Sequence, residues 1–335
     1  MKLKVSLRNT ALAGSLGALM FTGLAAGASA SASSSPAPAE KGTFAAAGSI
    51  DTDASASAGS SRYTRFTGTA TGPFTYRIWD ARNPKKTLGL LKGTVRQTEV
   101  LNYKRNTFQH RATITITTAS GVLKNGASAK MKLNCGKDCS TGGYESGALK
   151  NGKSTVFNFT VKSGGTKTVK LRPQPTMKIT GGGVTGPASG DGLAAVRCDS
   201  TYKSMGRGCV FPGVQPVFSL SRTDPEVNEN AQHVYDAQRK ISGAPGLNKP
   251  LHKVSTAQQK KNRGKMCPTG PSHPRPAGKE CDEYPFASTE EGGNKNLGST
   301  RLIDKDDNQA AGKRLRLWYK DNRVIVGDPF WVHIK

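Results

Sequence analysis

The 335-residue chain has no apolar run long enough to make it a multi-span membrane protein, and its hydrophobic content of 35% with a mean hydropathy of −0.51 excludes that class while leaving enough for a core. It has no G-x-S-x-G, and its five histidines form no H-E-x-x-H, so neither a nucleophile elbow nor a zincin site is present. No internal repeat occurs. Acidic residues are scarce: 23 Asp and Glu stand against 49 Lys and Arg, a formal net charge of +26. Such an excess favours anionic partners, whether nucleic acid, anionic wall polymers or acidic lipid headgroups, without choosing among them. The length suggests two domains.

What is present begins with a targeting segment. Lys2, Lys4 and Arg8 make a basic start, residues 11–26 are mostly small and apolar, and Ala28-Ser29-Ala30 fits the small-x-small cleavage rule. A signal peptide over 1–30 is expected, giving a secreted, extracellular protein that begins near Ser31. The apolar run is shorter than the ~20 residues of a transmembrane anchor. Export makes Cys135, Cys139, Cys198, Cys209, Cys267 and Cys281 readable as disulfide cysteines. Six cysteines allow about 15 connectivities; proximity favours 135–139, 198–209 and 267–281. Zinc on His252, Cys267, His273 and Cys281 is the competing reading, but these spacings match no common zinc pattern.

Residues 31–61 are Ala, Ser, Gly and Pro with few large apolar side chains, the composition of a flexible leader. From 62 to 173 the pattern is β. ATITITT (112–118) alternates, and Phe157, Phe159 and Val161 share one face. Gly, Asn and Ser clusters between such runs suggest an all-β, sandwich-like domain of short strands. A Gly- and Pro-rich stretch over 174–194 reads as a linker, and a second domain over 195–335 follows. In it Asp224-Pro225-Glu226 reads as a helix start with Asp224 as N-cap, and residues 243–246 as its stop.

GALKNGKS (147–154) satisfies the P-loop pattern, but that loop works only between a buried strand and a helix. Here the following residues alternate like a strand, so a solvated turn is expected. The informative window is 280–308. It holds eight acids against three bases, a local charge of −5 inside a chain whose remainder sums to +31. An acidic pocket of oxygen ligands in a basic protein suits a divalent cation serving a polyanionic substrate. The plain alternative is a solubilising acidic loop. The order here is a strand around 282–287, a turn at 291–294, a strand at 299–303, then a helix opened by 306–308. Ala311, Leu315 and Trp318 form its apolar face. Strand is also expected at 324–326 and from Phe330 to the end. His273 sits in a Pro-rich loop and His333 alternates with Val332 and Ile334, so neither reads as a base.

CDEYPFASTEEGG (281–293), DNQAAG (307–312) and VGDPFWVHI (326–334) resemble the secreted NucA/NucB-type deoxyribonucleases, as carried at the C-terminus of larger exported actinobacterial proteins. GCVFPGVQPVF (208–218), AQHVYDAQ (231–238) and NRGKMC (262–267) are similar to the same group. The resemblance spans about 195–335 and says little of 62–173. It implies an α+β fold with a ββα-metal nuclease-like C-terminal domain that hydrolyses DNA phosphodiesters without sequence preference, using a divalent metal ion, Mg²⁺ or Mn²⁺. The family's motif aspartate falls on Asp282, the implied general base. Glu283 beside it, and Glu291 before the paired glycines, join the catalytic candidates. The helix asparagine falls on Asn308, an implied metal ligand, with Asp307 beside it.

This chemistry needs an acceptor for a water proton, a cation for the charge growing on the phosphate and help for the departing oxygen. Arg275, Lys279, Arg301, Lys313 and Arg314 are candidates to grip flanking phosphates, contacts that would be sequence-independent and salt-sensitive. A Cys267–Cys281 bridge would anchor the residue just before Asp282. The N-terminal module is a candidate for holding a cell-wall polymer. The rival class is a non-catalytic secreted basic protein that binds DNA or anionic wall polymers.

Overall fold

The computed structural model describes residues 44–50 and 60–335. The expected signal peptide therefore lies outside the described residues, as does most of the expected leader. The first module contains β1 (Phe44–Ile50), β2 (Ser60–Tyr63), β3 (Thr67–Asp80), β4 (Asn83–Val100), β5 (Thr107–Gly121) and β6 (Ala127–Asn134). It continues with β7 (Cys139–Ser140), β8 (Glu145–Leu149), β9 (Ser154–Ser163), β10 (Val169–Leu171), β11 (Gln174–Gly181) and β12 (Val184–Gly190). All but β10 belong to one eleven-stranded sheet of order β7-β9-β5-β4-β3-β1-β12-β11-β6-β8, with β2 also against β3. Pairing is antiparallel except between β1 and β12.

This is a rolled sheet rather than the expected sandwich of short strands. β3, β4 and β5 run for 14, 18 and 15 residues. The strand order comes back on itself, the Thr155 hydroxyl of β9, next to one end, donating to the Ala148 carbonyl of β8 at the other. The pairing of β4 with β5 shifts register between Lys92 and Gly93. A Cβ on Gly93 would lie 1.9 Å from the Thr115 carbonyl oxygen, so only glycine allows that approach. The alternation read at 112–118 and 157–161 points inward: Ala112, Ile114, Ile116, Phe157, Phe159 and Val161 are all buried in the sheet's core.

Two segments read as unstructured are strands. Phe44–Ile50, placed in the leader, is held on both edges by β3 and β12. Its small residues fit because ladder hydrogen bonds do not depend on side-chain bulk. The linker reading fails over β11 and β12, where Met177, Ile179, Val184 and Ala188 alternate into the core. The Gly182-Gly183 pair, at φ of 57° and 77°, is the hairpin turn between them. GALKNGKS lies, as expected, across the end of β8, a turn and the start of β9.

A small sheet of β10, β13 (Val196–Asp199) and β14 (Gly208–Val210) follows, and its Cys198 and Cys209 belong to the first core. A second core starts at Phe218. Its elements are β15 (Val217–Leu220), α1 (Asn228–Lys240), β16 (Leu251–His252), α2 (Thr256–Met266), β17 (Lys279–Tyr284), β18 (Ser299–Asp304), α3 (Lys305–Asp321) and β19 (Pro329–Ile334). β19 lies between β15, parallel, and β16, antiparallel. Residues 324–326, expected as strand, are loop. Helix α1 begins at Asn228, not beside Asp224, which caps a turn by accepting from the Glu226 amide.

A buried ionic knot joins the two cores. Arg323, fully buried, donates to the Asp199 carboxylate (2.8 Å) and the Tyr103 carbonyl (2.6 Å). Arg65 and Arg197 both bind Asp328, at 2.9 and 2.6 Å. All three proximity pairs of cysteines form disulfides.

Candidate active site

β17 and β18 form a two-stranded antiparallel sheet, Asp282 opposite Arg301, and run into α3. The Asp304 carboxylate caps that helix by accepting from the Asp306 and Asp307 amides, at 2.9 and 3.3 Å. Strand alternation sends Glu280, Asp282 and Tyr284 toward α1 and α3, and Glu283 toward α2. β17 pairs on one edge alone, and a cleft of about 900 Å³ holds residues from both of its faces. Glu280, Asp282, Glu283, Asn308 and Lys313 are among the residues lining it.

Asp282 is 6% exposed, and its Oδ2 accepts from His233 Nδ1 at 2.6 Å. His233, fully buried on α1, places its Nε2 2.9 Å from the Ser299 hydroxyl of β18. The imidazole is thus clamped between two strands and fixes the carboxylate's plane. Among the described residues no protein donor meets Asp282 Oδ1. Next to it Glu280 accepts from Asn308 Nδ2 (3.1 Å) and Gln309 Nε2 (2.8 Å). Because Glu280 takes the nitrogen, the Asn308 carbonyl oxygen remains available as an acceptor. Asn230 also lines the cleft, and its Oδ1 is buried without a hydrogen-bond partner.

Glu283 is 5% exposed, and Arg263 Nε lies 3.1 Å from its Oε1. Burial pushes its carboxyl up to about 7, further than the Arg263 charge draws it down.

Asp307 is placed differently from its neighbour. Its two carboxylate oxygens accept from the first amides of α1, Glu229 N at 2.8 Å and Asn230 N at 3.0 Å, so it caps a helix remote in sequence. Burial raises its pKa against those bonds. Glu291 accepts from the amide and Nδ1 of His252 (3.0 and 2.8 Å), tying the loop after β17 to β16.

Of the five cations expected to grip phosphate, Lys313 lines the cleft. Arg275 donates to the Cys267 and Pro268 carbonyls. Lys279 pairs with Glu229, Arg301 with Asp236, and Arg314 with Asp224 and Glu226. Lys253, Arg263, Arg316 and Lys320 line the cleft and were missed. The Cys267–Cys281 disulfide ties the end of α2 to the residue before Asp282.

His233 and Asn230 were also missed, though the signal existed. Asn230, His233, Val234 and Ala237 follow the spacing of one buried helix face. A histidine on that face needs a polar partner inside.

A buried carboxylate presented by a strand–strand–helix unit thus lies at a cleft rimmed with cations. Residues 235–333 match the family described as Deoxyribonuclease NucA/NucB, so the C-terminal region carries a domain of this DNA-nuclease type. No curated protein matches the chain.

Proposed function

We propose that the protein is a secreted, metal-dependent, sequence-nonspecific DNA endonuclease whose C-terminal domain hydrolyses phosphodiesters in the β17 cleft. The observation that carries this reading is the clamped Asp282. It is nearly buried, oriented by His233 and free at one oxygen on the cleft side. A carboxylate so placed can take a proton from a water held beside it. Glu283, with its carboxyl near 7, can hold a proton at neutral pH and give it to a departing 3′ oxygen. Lys313, Arg316 and Lys320 supply positive charge for the flanking phosphates.

The donor set fits a hard divalent cation. Among the described residues no three His, Cys, Asp or Glu side chains cluster closely enough to hold a metal. Mg²⁺ is commonly bound through one or two carboxylates plus water and substrate phosphate, and needs no such cage. Asn308 Oδ1, Asp282 and the unpartnered Asn230 Oδ1 would hold it. When bound, the ion would neutralise charge building on the phosphate. Among the described residues no helix is long and apolar enough to cross a membrane, and three disulfides suit an oxidising compartment.

The test is supercoiled plasmid with Mg²⁺ or Mn²⁺, with and without chelator. Cleavage that chelator abolishes is expected, with strong loss in Asp282→Ala and Asn308→Ala. No cleavage by correctly oxidised protein overturns the nuclease reading. Unchanged rates in both variants overturn the site.

A further inference from the structure

The charge of this protein is unevenly divided. Residues 60–192 hold 22 Lys and Arg against five Asp and Glu, a net charge of +17, while residues 193–335 carry +8. In the C-terminal region many cations are spent on internal partners, Arg263, Lys279, Arg301 and Arg314 among them. The rolled sheet does the opposite. Its buried Glu99 is paired with His110, and among the described residues no Lys or Arg of its outer face forms an ion pair.

One part of that face has a defined shape. On the outward side of β4, β5 and β9, Arg96 stands opposite Thr113, Thr98 opposite Arg111, and Arg111 opposite Asn158. Arg96 and Arg111 therefore occupy diagonal positions, which in an antiparallel pair lie about 7–8 Å apart. With Thr98, Gln109, Thr113 and Asn158 they line a groove of about 570 Å³. Arg111 Nε donates to Asn158 Oδ1 at 3.0 Å, which holds the guanidinium in place and leaves its terminal nitrogens for another acceptor. Across the outward faces of β3, β4, β5 and β9 the sole carboxylate is Asp80, at the end of β3. Two guanidiniums flanked by hydroxyls and amides form the donor set that takes phosphate oxygens.

We propose that this face of the rolled sheet is a second DNA-binding surface, which grips the phosphodiester backbone of the duplex cut by the C-terminal domain. The choice of DNA rests on the nuclease reading above; the surface itself does not. Tethered to the cleft in one chain, it raises the local concentration of substrate without adding any base readout.

The experiment uses the full chain in chelator, with fluorescence anisotropy on a labelled 30-base-pair duplex from 50 to 300 mM salt. Arg96→Ser/Arg111→Ser, both outward-facing, is compared with wild type and with Arg96→Lys/Arg111→Lys, each first checked for an unchanged thermal transition. Loss of two phosphate contacts lowers the slope of log affinity against log salt by about 1.8. The lysine variant keeps the slope, and metal-activated cleavage of a dinucleotide too short to reach the groove is unchanged in all three. An equal slope in the serine variant overturns the proposal. So does a serine variant that keeps DNA affinity but loses binding to polyglycerol phosphate, which would make a wall polymer the partner. Absence of cleavage with an altered slope would sink the nuclease reading alone.

Discussion

Replacing Arg323 by methionine should loosen the junction between the two cores. The guanidinium is fully buried and donates to Asp199 Oδ1 (2.8 Å), to the Tyr103 carbonyl (2.6 Å) and to the Gly206 carbonyl (3.3 Å). Arg323→Met leaves the Asp199 carboxylate, also fully buried, with only the Thr201 amide at 3.1 Å and Arg197 Nε at 3.4 Å. Removing one member of a buried ion pair costs about 3–5 kcal/mol, out of a total stability of roughly 5–15 kcal/mol. Because the knot lies between the cores, urea unfolding followed by tryptophan fluorescence and by far-ultraviolet dichroism should separate into two transitions. Arg323→Met/Asp199→Asn should recover part of the loss, since no uncompensated buried charge remains.

The same knot sets an acid limit. Burial would raise the Asp199 carboxyl, but the Arg323 hydrogen bond and charge more than offset this, and its pKa falls below the ordinary value. A depressed carboxylate contributes stability in full above the unfolded pKa near 3.9, and loses it as pH drops through the lower folded value. Wild type should show this loss only below about pH 4. Arg323→Met should not. A single transition within about 1 kcal/mol of wild type would refute the reasoning.

Three further outcomes are expected. Asp307→Ala removes the carboxylate that accepts from two amides at the start of α1 and should cost about 2 kcal/mol, with Asp307→Asn losing less; equal urea midpoints would contradict the capping role. Glu283, raised from 4.5 to about 7, binds a proton in the folded state that the unfolded chain releases. Stability in chelator should therefore fall between pH 4.5 and 7 and then level, by at most about 3 kcal/mol, and Glu283→Gln should flatten the curve. Cys267→Ser/Cys281→Ser opens a loop with a sequence separation of 14 and should cost about 3 kcal/mol by thermal or urea unfolding, with Asp282 losing its anchor on α2.

Much of the C-terminal unit was legible in the sequence because local patterns agree with the fold there. The strand at 299–303, the helix after 306 and the Cys267–Cys281 pair appear where their patterns place them, while the strand expected over 282–287 runs earlier, at Lys279–Tyr284, with Asp282 near its end. The N-terminal module was legible only as β. Its long strands form one sheet through pairings between residues far apart in the chain, such as Gly48 of β1 with Ala188 of β12. Composition misled at Phe44–Ile50 and at β11–β12, since Ala, Gly and Pro signal turns and leaders but not ladder hydrogen bonds.

The site divides in the same way. Asp282 and Asn308 could be found from a short motif, and both reach the cleft. The role of His233 depends on helix α1 crossing β17 49 residues away, and that of Asp307 on the first amides of α1. Neither is written in local spacing. Charge alone could not distinguish Lys313, in the cleft, from Lys279 and Arg314, which are held by carboxylates.

The most direct test of the account is the single-turnover rate of duplex DNA cleavage at saturating Mg²⁺ for wild type against Asp282→Asn, a change that keeps the side chain's shape beside His233. A fall of roughly 10²–10⁴-fold, with DNA affinity and thermal unfolding unchanged, is the expected result for a positioned proton acceptor. A rate within threefold of wild type would contradict it.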